Sequence, residues 1–172
     1  MTLAPLVTAA LAAAPPDSPE RISHVYEQHL AGPPDRVLPL LTPLGEQDWA
    51  PGWEPQMRWE PAQGRVGTLF VTVHPGQPDT VWVLDTWEPA QGHVHYVHVT
   101  PASDVTEIDI RLRPDGESRT IATVRYTWTA LGPPGEALVK DKTPEAYVRS
   151  MRHWETALNH FLTTGRKLPL GH

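Results

Sequence analysis

The sequence predicts an α+β domain in which a curved antiparallel sheet of about seven strands wraps around one long C-terminal helix. Two short helices should follow the first strand. Three observations carry this expectation. Between residues 56 and 130 apolar and polar positions alternate with a period of two, in runs separated by turn-forming clusters too short to join parallel strands. From Thr143 the apolar spacing changes to three and four residues and stays so for about twenty residues. Within the alternating region, Ile108, Ile110 and Leu112 share one face, while Glu107, Asp109, Arg111 and Arg113 share the other. A sheet with one apolar face and a helix with one apolar stripe can bury each other.

Taken in order, Arg21–Leu30 reads as the first strand, stopped by Gly32-Pro33-Pro34. Asp35–Leu41 carries Val37, Leu38, Leu40 and Leu41 at helical spacing, and Pro39 makes that helix brief or bent. Residues 42–55 are punctuated by Pro43, Gly45, Pro51, Gly52 and Pro55, which predicts a short helical turn followed by a loop holding Glu46, Asp48, Trp49 and Trp53. Strands are expected at 56–60, 67–73, 80–87, 93–100, 106–113 and 120–130, with Gln63-Gly64, Pro75-Gly76-Gln77-Pro78, Pro89-Ala90-Gln91-Gly92, Pro101-Ala102-Ser103-Asp104 and Pro114-Asp115-Gly116-Glu117 between them. Thr143 then caps the long helix, Pro144 takes its first position, and Gly165 ends it. Its stripe is Tyr147, Met151, Trp154, Leu158 and Phe161 or Leu162.

A chain of 172 residues suits one domain, and the expected division is a leader or arm at 1–20, the domain at 21–165 and a tail at 166–172. The leader is apolar from Leu3 to Ala14. However, no Lys or Arg precedes Arg21 and Pro5 interrupts the run, which favours an arm over a signal peptide. The net charge of -6 and the lack of any basic run argue against a nucleic-acid partner. No apolar stretch has the length of a membrane span. With no cysteine there is neither a disulfide nor a thiolate site, in keeping with a cytoplasmic location.

Where a sheet closes over a helix, side chains cannot fill every gap, and a small-molecule cavity is expected between the layers. If Ile108, Ile110 and Leu112 mark the inner face, neighbouring strands add Trp82, Tyr96, His98, Tyr126 and Trp128 to one wall. The helix adds Met151 and Trp154, and Trp53 lies near the mouth. Seven tryptophans in a small domain suit either a bulky core or such an aromatic pocket. Glu46 beside tryptophans, or His98, could serve as an acid or base; the structural alternative is a Glu46 that pins its loop. His93 and His95 share the outer face of their strand and lack further ligands at metal-site spacing, so neither a metal nor another cofactor is expected. There is no Gly-x-Ser-x-Gly elbow, phosphate loop, dinucleotide fingerprint or His-Glu-x-x-His.

This order of elements is the helix-grip arrangement. Four segments carry the resemblance: Gly45–Trp53, Thr80–Val83, Tyr126–Leu131 and Trp154–Asn159. Over about Ser23 to Gly165 the chain resembles the SRPBCC superfamily, which includes START-like lipid-transfer and polyketide-cyclase domains. The resemblance implies a hydrophobic cavity for lipids, polyketides, sterols or hormones, sometimes with catalysis. Three functions stay open. The first is binding or carrying a small hydrophobic or aromatic molecule. The second is a polyketide cyclase/dehydratase-like enzyme with acid–base residues in the cavity. The third is a chaperone-activator-like domain with a protein partner, a filled interior and an exposed apolar patch.

Overall fold

The computed structural model describes residues 19–61, 65–73, 75–76 and 78–169. The leader at 1–18, the Gln63-Gly64 turn and the last three positions of the tail lie outside the described residues. Seven antiparallel strands form one sheet: β1 (Arg21–Leu30), β2 (Gln56–Trp59), β3 (Leu69–Thr72), β4 (Thr80–Glu88), β5 (His93–Thr100), β6 (Asp104–Pro114) and β7 (Thr120–Ala130). Their spatial order is β1-β7-β6-β5-β4-β3-β2. β2 through β7 follow one another across the sheet as a meander, and β1 is brought back from a distance to pair with the last strand.

Helices fill the two long connections. After β1 come α1 (Pro34–Val37), a 3₁₀ turn (Leu38–Leu41) and α2 (Pro43–Trp49). Pro39 at the start of the 3₁₀ turn cannot donate a backbone hydrogen bond, which explains the break from α1. Glu46, Asp48 and Trp49 thus lie on α2 itself rather than on a loop after it. α3 (Pro133–Lys140) is a helix that the sequence pattern does not announce. It opens on Pro133-Pro134-Gly135, which reads as loop, and it is too short to show an apolar stripe. α4 (Pro144–Thr164) runs 21 residues, from a Thr143 cap whose Oγ1 accepts the Ala146 amide at 3.2 Å to a left-handed Gly165 at φ 68°.

The register places two rows of side chains across the inner face of the sheet. One row runs Phe70, Trp82, His98, Thr106 and Trp128; the next runs Leu84, Tyr96, Ile108 and Tyr126. The outer face carries charges, among them the pairs Arg21–Glu107 at 3.1 Å and His93–Asp109 at 2.9 Å. The core gathers inner-face residues such as Leu84, Ile108 and Ile110 with Val37, Leu41 and Trp49 from the short helices and Met151, Leu158 and Leu162 from α4.

α4 does not settle evenly on this face. It is fastened along β1, an edge strand with one row of unpaired backbone groups. Glu155 Oε1 accepts the His29 amide at 2.7 Å, and its Oε2 accepts the Tyr26 hydroxyl at 3.1 Å. Asn159 accepts the Ala31 amide at 2.7 Å and donates to the His29 carbonyl at 2.8 Å. Near its first turns, the Tyr147 hydroxyl donates to the Val124 carbonyl at 2.8 Å.

Gly135 shows how tightly α3 is seated. A Cβ there would stand 1.8 Å from the Ser103 carbonyl oxygen, a backbone atom that itself accepts the Leu131 amide. Gly135→Ala must therefore push α3 off the sheet. Chemical denaturation is expected to show a loss of about 2–3 kcal/mol, against about 1 kcal/mol for Ala137→Gly at an exposed position of the same helix.

Candidate functional site

A cleft of about 440 Å³ opens between the inner face of the sheet, α3 and the first half of α4. Because α4 is fastened at the β1 edge, the middle strands are left partly uncovered beneath its N-terminal turns. Trp82, Tyr126 and Trp128 from the sheet, and Tyr147, Met151 and Trp154 from α4, give the cleft its aromatic and apolar walls. The aromatic rings brace one another. Trp128 meets Tyr147 edge-on at 5.7 Å, and Tyr126 lies 5.4 Å from Trp128. Contacts of this kind hold rings rigid and leave less to order when a ligand binds.

Hydroxyls line the floor. Trp82 Nε1 donates to Thr72 Oγ1 at 2.9 Å, and Thr80 and Thr100 share a hydrogen bond of 3.0 Å. Asp104 is buried at one end, where Ser103 and Thr106 hydroxyls donate to its two oxygens at 2.9 and 2.8 Å. Lys142 stands at the rim with its ammonium 5.8 Å from the Trp128 ring centroid. His98 packs on Trp82 with centroids 4.2 Å apart. Burial lowers its pKa to about 4, helped by the Lys142 charge and opposed by Asp104, so the imidazole is neutral at pH 7.

Behind the cleft is a second, much smaller chamber of about 20 Å³, room for roughly one water. Pro43, Glu46, Trp53, Phe70, Tyr96 and Ile108 enclose it. Trp82, Tyr126 and Trp154 border both spaces and form the partition between them. Trp154 is held from behind by Trp49, edge-on at 5.3 Å. Tyr96 donates to the Leu41 carbonyl at 2.8 Å and Trp53 to the Pro43 carbonyl at 2.8 Å, so neither polar tip is free. Glu46 is different: its carboxyl faces the chamber without a side-chain partner among the described residues, and burial pushes its pKa well above the usual carboxylate range.

Of the residues singled out from sequence, the structure thus brings Trp82, His98, Tyr126, Trp128, Met151 and Trp154 to the cleft. Trp53, Tyr96 and Glu46 lie at the inner chamber, and Glu46 and His98 do not share a space. The floor hydroxyls, Asp104 and Lys142 were missed. Thr106 and Asp104 were within reach, since they continue the two-residue alternation of Ile108 and Ile110. Lys142 was not, because it belongs to the turn after the unannounced α3. His93 and His95 stay on the outer face, tied to Glu88, Asp109 and Asp85. Among the described residues no group of three His, Cys, Asp or Glu side chains could hold a metal ion.

Comparison with known proteins adds the following. The sequence pattern of a family described as "Polyketide cyclase / dehydrase and lipid transport" matches residues 21–159. No curated protein sequence matches the chain. Norcoclaurine synthase from Thalictrum flavum, solved with dopamine and hydroxybenzaldehyde, superposes with a TM-score of 0.60 at 14% identity, over 82% of this chain and 87% of that one. The Zhui aromatase/cyclase from Streptomyces sp. R1128 gives 0.64 at 11% identity, over 87% and 100%. CalU16 from Micromonospora echinospora gives 0.52 at 20% identity, over 83% and 77%. At these identities the likeness is one of fold.

Glu46 and His98 predict opposite pH dependences. Glu46 has a raised folded-state pKa, so its contribution to stability is full below the unfolded value near 4.5 and is lost as pH rises through the folded value. His98 has a lowered one, so its contribution is full above 6.5 and is lost as pH falls toward about 4. In urea unfolding, Glu46→Gln is expected to lose less stability than the parent as pH rises above about 4.5. His98→Gln is expected to lose less between about pH 7 and pH 4.5.

Proposed function

The chain belongs to the polyketide cyclase/dehydrase and lipid transport family of the SRPBCC superfamily, and from that premise we propose that it binds a small hydrophobic or aromatic molecule in the cleft between the sheet and α4. The observation that carries this reading is the cleft itself. Its volume of about 440 Å³ falls within the range of small-molecule sites, and six aromatic or apolar side chains face it from two layers. Burying one ring of a ligand against them removes apolar surface from water on both sides, at about 25 cal/mol per Å². The floor hydroxyls and His98 supply the few polar contacts that orient a ligand. An open cleft also favours this reading over a protein-interaction domain with a filled interior.

A cyclase- or dehydratase-like activity is the second reading, and Glu46 is the observation in its favour. A carboxyl kept toward its protonated form, one water-sized chamber behind Tyr126, is a proton source placed beside the ligand space. His98 lines the cleft and not that chamber, so in this reading the two would act from different sides of the partition.

Gentle purification followed by native mass spectrometry tests the binding reading. The expected result is a stoichiometric additional mass that identifies as a lipid or aromatic compound. Ala146→Phe, at the first turn of α4 on the cleft wall, should reduce occupancy at least about tenfold with little change in melting temperature. A protein that stays free of ligand, and shows no thermal shift across a lipid and aromatic panel, would count against it.

A further inference from the structure

His98 has a constrained environment that fixes more than its charge. It lies on β5 between Trp82 of β4 and Thr106 of β6. The Trp82 ring packs on the imidazole with centroids 4.2 Å apart and a tilt of 39°. Nδ1 is buried and has no hydrogen-bond partner among the described residues. Asp104, the nearby carboxylate, makes no hydrogen bond to it; its two oxygens accept the Ser103 and Thr106 hydroxyls. Nε2 is the remaining nitrogen, on a ring that lines the cleft.

Two protonation states are disfavoured by this arrangement. An imidazolium, or the neutral tautomer protonated at Nδ1, would bury an N–H with nothing to accept it. Orphaned buried N–H groups are among the rarest defects in folded proteins. The tautomer protonated at Nε2 leaves only a bare lone pair on Nδ1 and turns its hydrogen toward the ligand space. The floor points the same way. Thr72 accepts from Trp82 Nε1, and among the described residues its own hydroxyl donates to nothing. Thr80 and Thr100 share one hydrogen bond, so one of their two hydroxyl hydrogens is also unused. Apart from the Asp104 and Asp141 carboxylates, the polar side of the cleft thus offers donors.

We infer that His98 presents a neutral Nε2–H donor to the cleft and selects aromatic ligands that place a carbonyl or carboxylate oxygen against it. This specificity rests on the binding reading above and refines it. A ligand of equal shape without that oxygen would strand the donor, and sites built to hydrogen-bond their ligand reject such analogues most strongly.

The test has two parts. A long-range ¹H–¹⁵N spectrum of the free protein should show His98 neutral and protonated at Nε2. A charged ring, or a proton on Nδ1, would overturn the inference without any ligand. In the second part, tryptophan fluorescence titration compares 2-acetylnaphthalene with 2-isopropenylnaphthalene, which replaces the carbonyl oxygen by a CH₂ group. The parent protein should prefer the ketone by about tenfold, one net hydrogen bond. His98→Phe should abolish the preference while retaining the hydrocarbon, and His98→Gln, which keeps a donor, should restore part of it. Equal affinity in the parent, or an undiminished preference in His98→Phe, would overturn the inference. If neither probe binds, the binding reading fails, and the tautomer spectrum still decides the state of His98.

Discussion

The fastening of α4 to the edge strand β1 determines where this protein has space. β1 pairs with β7 on one side, and its other row of backbone groups needs partners. Glu155 and Asn159 meet the His29 amide, the His29 carbonyl and the Ala31 amide, so two side chains one helical turn apart stand in for part of a missing strand. Gln28 adds a hydrogen bond to the Met151 carbonyl at 3.2 Å. These are long-range contacts, each worth about 0.5–1.5 kcal/mol, and up to about 3 kcal/mol where the Glu155 carboxylate accepts. Their effect is positional. They hold the second half of α4 against one margin of a curved sheet, and the first half then bridges the middle strands without filling the gap beneath it.

What fills the gap in part is aromatic. Trp82, Tyr126 and Trp154 divide it into an outer cleft and an inner chamber, and Trp49 on α2 supports Trp154 from behind. The short helices are themselves tied to the sheet by the Tyr96 hydroxyl on the Leu41 carbonyl. Glu46 and His98, which face these spaces, are driven toward their neutral forms by burial, Glu46 upward and His98 downward. The ligand space is therefore apolar in its walls and nearly uncharged where those two side chains meet it, with Asp104 at one end and Lys142 at the rim. Such an interior suits a molecule that is mostly hydrocarbon or aromatic, with one or two oxygens.

Much of the fold was legible because two periodicities do not mix. The bounds of β1, β5, β7 and α4 follow directly from alternation, turn residues and the Thr143 and Gly165 caps. The inner-face row of Tyr96, His98, Tyr126 and Trp128 was readable from the parity of Ile108 and Ile110. Three features were not. α3 begins with two prolines and a glycine and has too few turns to show a stripe. Glu155 and Asn159 lie off the apolar stripe of α4 and read as solvated positions, because nothing local says that an edge strand lies beside them. Lys142 comes to the cleft only through the turn that α3 creates. Each of these depends on a contact between residues far apart in sequence, where short-range pattern carries no information.

A ligand that enters the cleft under α4 must pass close to three indole rings. The indole N–H resonances of ¹⁵N-labelled protein test such binding most directly, because the tryptophans sample different places. Trp82, Trp128 and Trp154 border the cleft, Trp49 is sealed behind it with its N–H on the Leu40 carbonyl at 2.7 Å, and Trp59 is exposed on β2. On titration with an aromatic ketone the resonances of Trp82, Trp128 and Trp154 should shift together and saturably, while Trp59 stays fixed. Shifts confined to Trp59 or other surface tryptophans, or no shifts at saturating ligand, would contradict binding in the cleft.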